Sequence, residues 1–275
     1  MSRLQAVGHR PVTIGHRLRA VNHRLATMGC RLPVALLALA ALLMPAQAFA
    51  QEADWPSPVH DDQVFWFLFF EQLEFASTSE TNAAAWDVQG WVGDDYNRFW
   101  FKSEGGRTNR AGAGDFEVQA LYSRLIAPYW DFQAGVRYDR QLGAGPNLQR
   151  AHLVIGFEGL APYWWEMEPV LFISDDGDVS ARVEASYDLL LTQRLILQPQ
   201  VEVNFAASAA KEWGVGSGLN DLSVELRLRY EIRRRFAPYV GVSWFQRFGE
   251  TADFARSEGQ DVAELAFLAG VRIWF

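Results

Sequence analysis

Ala269-Gly270-Val271-Arg272-Ile273-Trp274-Phe275 is an alternating segment whose final residue is aromatic. In a transmembrane β-barrel, lipid-facing and lumen-facing side chains alternate along each strand, and aromatics mark the two membrane interfaces. The same period of two recurs upstream. In Leu222 to Glu231, the apolar set Leu222, Val224, Leu226, Leu228 and Tyr230 opposes Ser223, Glu225, Arg227, Arg229 and Glu231. Val179 to Asp188 and Trp130 to Asp139 split in the same way. A soluble sandwich alternates too, but its apolar face needs a partner sheet of opposite orientation. Strands of roughly 9–11 residues that end on an aromatic favour the barrel.

Composition alone points elsewhere: 275 residues, 21% charged, with a mean hydropathy of −0.08, would suit a soluble domain. The beginning of the chain changes that. Leu32 to Met44 is an apolar run preceded by Arg24 and Arg31 and followed by Ala48-Phe49-Ala50. That is the pattern of a secretory signal peptide cleaved before Gln51, and Met28 is the expected start of translation. Residues 1–50 are therefore expected to be leader and signal peptide, 51–62 a short periplasmic segment, and 63–275 the barrel. Cys30 leaves with the leader, and a chain without cysteine fits an oxidising compartment. Once the six arginines of residues 1–50 are set aside, 19 of the 25 basic residues face all 33 acidic ones, a formal charge of −14. This balance excludes nucleic acid as a partner and favours cations. The longest later apolar stretch, Val64 to Phe70, is too short for a membrane helix. Entry into lipid then requires a closed sheet, which satisfies every backbone group.

The pattern predicts an all-β, antiparallel up-and-down transmembrane barrel of twelve strands. They fall at 64–75, 84–92, 97–104, 115–126, 130–139, 150–159, 164–173, 179–189, 195–205, 221–232, 238–247 and 262–275. Short connections at 93–96, 127–129, 160–163, 190–194 and 233–237 alternate with longer ones at 76–83, 105–114, 140–149, 206–220 and 248–261. Ser174-Asp-Asp-Gly-Asp178 falls on the long side by parity. Short turns belong in the periplasm, which puts both termini there. Ala127-Pro128-Tyr129-Trp130, Ala161-Pro162-Tyr163-Trp164 and Ala237-Pro238-Tyr239 are expected to be proline-set turns carrying an inner aromatic girdle. One strand breaks the pattern. In Phe69-Glu71-Leu73-Phe75 a glutamate shares the apolar face, so either Glu71 lies at an interface or the parity slips there.

Several longer segments are unlike generic barrel sequence. They include Glu71-Gln-Leu-Glu74, Ala85-Trp-Asp-Val-Gln-Gly-Trp91, Asp95-Tyr-Asn-Arg98 and Lys102-Ser-Glu-Gly105. Further on come Asp178-Val-Ser-Ala-Arg182, Tyr187 to Pro199, Gly216-Ser-Gly-Leu-Asn220, Leu228 to Arg233 and Phe248 to Phe254. In these the chain resembles the copper resistance protein B family of outer-membrane proteins, from about residue 60 onward. The resemblance implies a cell outer membrane location and a role in copper tolerance. It also implies that the protein binds copper ions or assists their export or sequestration, alongside periplasmic copper-resistance proteins. Members of that family commonly carry an N-terminal stretch rich in Met and His, the ligands suited to copper. Here Gln51 to Asp62 offers only His60, and after residue 50 the chain keeps only His60, His152 and Met167 of these types.

By parity the lumen receives Asp87, Glu117, Asp131, Asp139, Glu158, Glu166, Glu168, Glu184, Asp188, Glu202 and Glu225. They face Arg98, Lys102, Arg137, Arg182, Arg227, Arg229 and Arg272. Two readings stay open: a salt-bridged filling that fixes strand register, and a metal site. For the second, a turn centred near 161–162 sets His152 diagonal to Glu168, and imidazole with carboxylate suits Cu(II) or Zn(II). The candidate metal residues are His60, His152, Glu166 and Glu168. Met167 is expected to face lipid, and the 174–178 loop lacks the remaining ligands of a calcium loop. A narrow channel for small solutes or ions, without specific metal binding, is the alternative function. No enzymatic activity is expected. A hydrolase of the outer-membrane phospholipase type needs a Ser/His pair on the barrel wall, and no serine lies two residues beyond His152.

Overall fold

The computed structural model describes residues 63–79, 81–109, 113–142 and 148–275. The leader, the signal peptide, the start at Met28 and His60 lie outside the described residues. Thirteen strand segments run in chain order: β1 (Phe65–Ser77), β2 (Asn82–Gly93), β3 (Asn97–Thr108), β4 (Gly114–Ala127), β5 (Trp130–Leu142), β6 (Gln149–Ala161) and β7 (Trp165–Ser174). Then follow β8 (Val179–Ser186), β9 (Leu189–Leu190), β10 (Leu195–Ala206), β11 (Gly218–Tyr230), β12 (Phe236–Arg247) and β13 (Ala263–Trp274), with one α-helix among the described residues, α1 (Gly249–Ser257). Each strand pairs antiparallel with its neighbours, and β13 returns to pair with β1 from Phe69↔Trp274 to Ser77↔Phe267. β8 and β9 both pair with β10, so they are two pieces of one stave. The result is a closed barrel of twelve staves, as the alternation predicted. No described helix is long and apolar enough to cross a membrane.

The two faces divide as parity requires. Val224, Leu226 and Leu228 on β11, Val240 and Val242 on β12, and Leu153, Ile155 and Phe157 on β6 all stand exposed on the outside. A continuous apolar band of that kind is stable only against lipid. The buried apolar cluster lies inside instead, where Trp100, Leu121, Val154, Val170 and Phe172 pack against one another in the lumen.

Three expectations need correction. The parity of β1 slips because a β-bulge shifts register between Phe70 and Gln72 against β2, and again against β13. A bulge adds one residue to one strand, so the side-chain alternation resets across it. Glu71 therefore accepts a hydrogen bond from Gln89 (3.0 Å) and Glu74 pairs with Arg227 (3.1 Å), while Leu73 and Phe75 are exposed outside. Second, Ala237-Pro238-Tyr239 is not a turn but the beginning of β12, where Tyr239 is buried inside. Gly270 makes room for that ring, since a Cβ there would meet the phenol oxygen at 2.5 Å. The other two Ala-Pro phrases do form turns. Tyr129, Tyr163 and Trp164 take left-handed backbone (φ 68°, 69° and 67°) and project outward. Third, the connections expected at 76–83 and 105–114 shrink to a few residues, because β1 runs on to Ser77, β2 begins at Asn82 and β3 runs on to Thr108.

Candidate functional site

At the short-turn end the lumen opens into a vestibule of about 600 Å³. Its wall carries the carboxylates Glu71, Glu158, Glu166, Glu168, Glu184, Asp188 and Glu231, the aromatics Phe67, Phe69, Trp100 and Trp274, and three arginines, Arg229, Arg234 and Arg272. Farther in, two spaces of about 60 Å³ remain. The first has Asp87, Lys102, Glu104, Glu117, Arg182 and Glu184 among its walls. The second is lined by Gln72, Asp87, Glu104, Glu184, Gln200, Glu202, Ser223 and Glu225, with no basic residue.

Most lumen charges are paired across strands, which is why so many ions tolerate the interior. Glu117 meets Arg137 (2.7 Å) and Arg182 (3.1 Å), and Arg182 also reaches Glu104 (3.3 Å) and Glu202 (3.5 Å). Arg227 bridges Glu74 (3.1 Å) and Glu225 (2.5 Å), and Arg229 meets Asp188 (2.6 Å). Lys102 bridges Glu158 (3.1 Å) and Glu168 (2.6 Å). Arg98 pairs with Asp131 (3.3 Å). Among the described residues Asp87, Glu166 and Glu184 have no basic partner within 4.0 Å. Glu166 receives only the Ser186 hydroxyl (3.3 Å), and Glu184 only the Gln200 amide (2.6 Å). The strand register also sets like charges side by side: Asp87↔Glu104↔Glu117↔Asp139 across β2 to β5, and Glu168↔Glu184↔Glu202 across β7, β8 and β10. Directly opposed like charges are destabilising, and Arg137, Arg182 and Lys102 offset most of this repulsion, leaving Asp87 and Glu184 without a basic partner.

At the opposite mouth one connection packs on a lumen residue. Trp213, from the 207–217 connection, stacks on the lumen-facing Arg150 at 4.5 Å. That connection is tied to α1: Gly216 donates its N–H to the Thr251 hydroxyl (2.9 Å), and Ser217 to the Glu250 carboxylate (3.0 Å).

Of the residues predicted to hold metal, Glu166 and Glu168 both line the vestibule, whereas His152 does not join them. The β6–β7 turn runs through Pro162–Trp164, so His152 lies opposite Ser174 and Glu168 falls level with Glu158. His152 and Glu168 are thus six register steps apart, roughly 20 Å at strand rise. The expected diagonal pairing fails because the turn centre lies farther along the chain than its Ala-Pro phrase indicated. His152 is 5% exposed, with its Nδ1 3.5 Å from Asp139 and its ring against Phe172. A serine does face it after all, from the next strand, but no hydrogen bond joins the two. The Ser174 hydroxyl accepts the Asp178 N–H instead (3.0 Å). Met167 keeps the outward parity of β7, yet borders the vestibule. No group of three or more His, Cys, Asp or Glu among the described residues is arranged to hold a metal ion. Sequence reasoning missed Glu74, hidden by the bulge, and Trp100, which parity could have found because it alternates with Arg98 and Lys102.

A family profile described as Copper resistance protein B precursor (CopB) matches residues 64–275. Copper resistance protein B of Escherichia coli is 45% identical over 217 residues, 79% of this chain and 72% of the relative. The Copper resistance protein B homolog of Pseudomonas syringae pv. tomato is 43% identical over the same length and shares. Solved barrels overlap with lower similarity. The NanC porin shares 12% identity at a TM-score of 0.48, covering 76% of this chain and 99% of that one. The outer membrane phospholipase A of Escherichia coli shares 11% at 0.45, covering 77% and 92%.

Proposed function

The chain belongs to the copper resistance protein B family of the outer membrane, and from that premise we propose that its lumen binds copper ions and assists their passage out of the periplasm. The observation that supports this most is the line of carboxylates without basic partners. Glu166 lies in the vestibule, Glu184 is shared by the vestibule and both inner spaces, and Asp87 borders the two inner spaces. With short turns on the periplasmic side, the wide mouth faces the compartment from which copper is removed. A mouth in which carboxylates outnumber the arginines Arg229, Arg234 and Arg272 concentrates cations. Glu166 and Glu168 are the proposed vestibule ligands. His60 and His152 are tested as separate contributors, because imidazole and carboxylate are suitable donors for Cu(II).

The test is copper retained at equilibrium by the refolded protein, loaded separately with Cu(I) and Cu(II). Glu166→Gln with Glu168→Gln should lower retention, and His152→Ala, remote from the vestibule, should leave that part unchanged. No retained metal in either oxidation state would overturn the binding claim. The absence of a three-ligand cluster among the described residues favours a second reading, a narrow cation channel without tight binding. Copper-dependent conductance without retained metal would select it.

A further inference from the structure

Lys102 stands where the vestibule narrows. Its ammonium bridges Glu158 and Glu168, its side chain is 11% exposed, and Glu168 is one of the residues that line both the vestibule and the first inner space. The two carboxylates lie level across β6 and β7, an arrangement that is unfavourable without a cation between them. Glu158 is also held by Gln133, whose amide donates to the same oxygen at 2.6 Å, so that carboxylate keeps its place without the lysine. Behind Lys102 is Trp100, 5.5 Å from the ammonium, lining the vestibule. Its indole Nε1 is buried without a hydrogen-bond partner, leaving a donor for an oxygen that arrives with a guest, such as metal-bound water.

We infer that Lys102 is a tethered cation occupying the seat at Glu158 and Glu168, and that a free cation advances from the vestibule only by displacing it. The displaced ammonium has somewhere to go. Lys102 pairs in register with Gln89, so Asp87 is its diagonal neighbour on the same face, within reach of a long side chain and lacking a basic partner. The ammonium moves whole, with its proton, and no bond is made or broken. This inference rests on the lumen being a cation path, not on copper being the cation.

The experiment is conductance and reversal potential of the full chain in planar bilayers under a potassium chloride gradient. Lys102→Met should raise conductance by about tenfold or more and give a cation-selective pore, because it removes the charge and leaves the carboxylates. Lys102→Arg should stay as closed as the native protein. Glu158→Gln with Glu168→Gln, which keeps the lysine and removes its seat, should shift selectivity toward chloride. Circular dichroism establishes that each variant is folded. A folded Lys102→Met barrel with native conductance would overturn the inference. A wide but chloride-permeable Lys102→Met pore would instead overturn the cation-path reading beneath it.

Discussion

Leu226 and Arg227 are adjacent on β11 and obey opposite rules. Leu226 faces lipid, while Arg227 is 4% exposed between Glu74, Glu225 and the Gln200 amide oxygen. Leu226→Arg should destabilise the barrel by roughly 2–4 kcal/mol, the cost of a cation at mid-membrane. Arg227→Met should cost about 3–5 kcal/mol, because two carboxylates lose their counter-charge in a buried place. Urea unfolding from lipid vesicles measures both, and a neutral effect at either position would contradict its assigned face. This division was legible in the sequence, since parity separates neighbours without knowledge of their partners. Glu71 and Glu74 were not legible. A bulge is a backbone event, and Glu71-Gln72 carries no residue that demands one.

The elements divide into a rigid wall and a tied cap. Between 207–217 and α1 the approach is close, and a Cβ at Gly216 would lie 2.6 Å from the Thr251 nitrogen. Gly216→Val should therefore loosen the cap without unfolding the barrel, seen as faster proteolytic cleavage within 207–217 at unchanged strand content. Cleavage as slow as in the native protein would contradict the packing. At the other end, Asp94 accepts the N–H groups of Asn97 (2.5 Å) and Tyr96 (2.8 Å) in the β2–β3 turn. The Asn97 bond, then that of Tyr96, holds its carboxyl below the ordinary range. The folded value lies below the unfolded one, so the stabilisation is present above about pH 4 and fades as pH falls through the depressed value. The group is exposed and the effect small. The difference in thermal stability between native protein and Asp94→Asn should shrink below that pH, and a difference that grows there would contradict the sign. Strand positions were foreseeable from period two, but the β6–β7 register was not. It depends on aromatic residues adopting left-handed backbone at 163 and 164, which sequence alone does not disclose.

At the scale of the molecule, the barrel has an open vestibule rich in carboxylates at the short-turn mouth, while at the other end Trp213 packs on Arg150. Strand count and closure followed from the residues themselves, through alternation along each strand and the turn residues between them. Copper did not. It came from resemblance to a family, because the two histidines and one methionine after residue 50 spell no metal motif. What the structure adds is a set of carboxylates without basic partners, Asp87, Glu166 and Glu184, which no linear pattern reveals because its members come from β2, β7 and β8. The most direct measurement is copper flux into vesicles holding the refolded protein and a trapped copper-sensitive dye. Asp87→Asn, Glu166→Gln and Glu184→Gln combined should slow copper entry by at least about tenfold while the barrel stays folded. Entry as fast as through the native protein would contradict it.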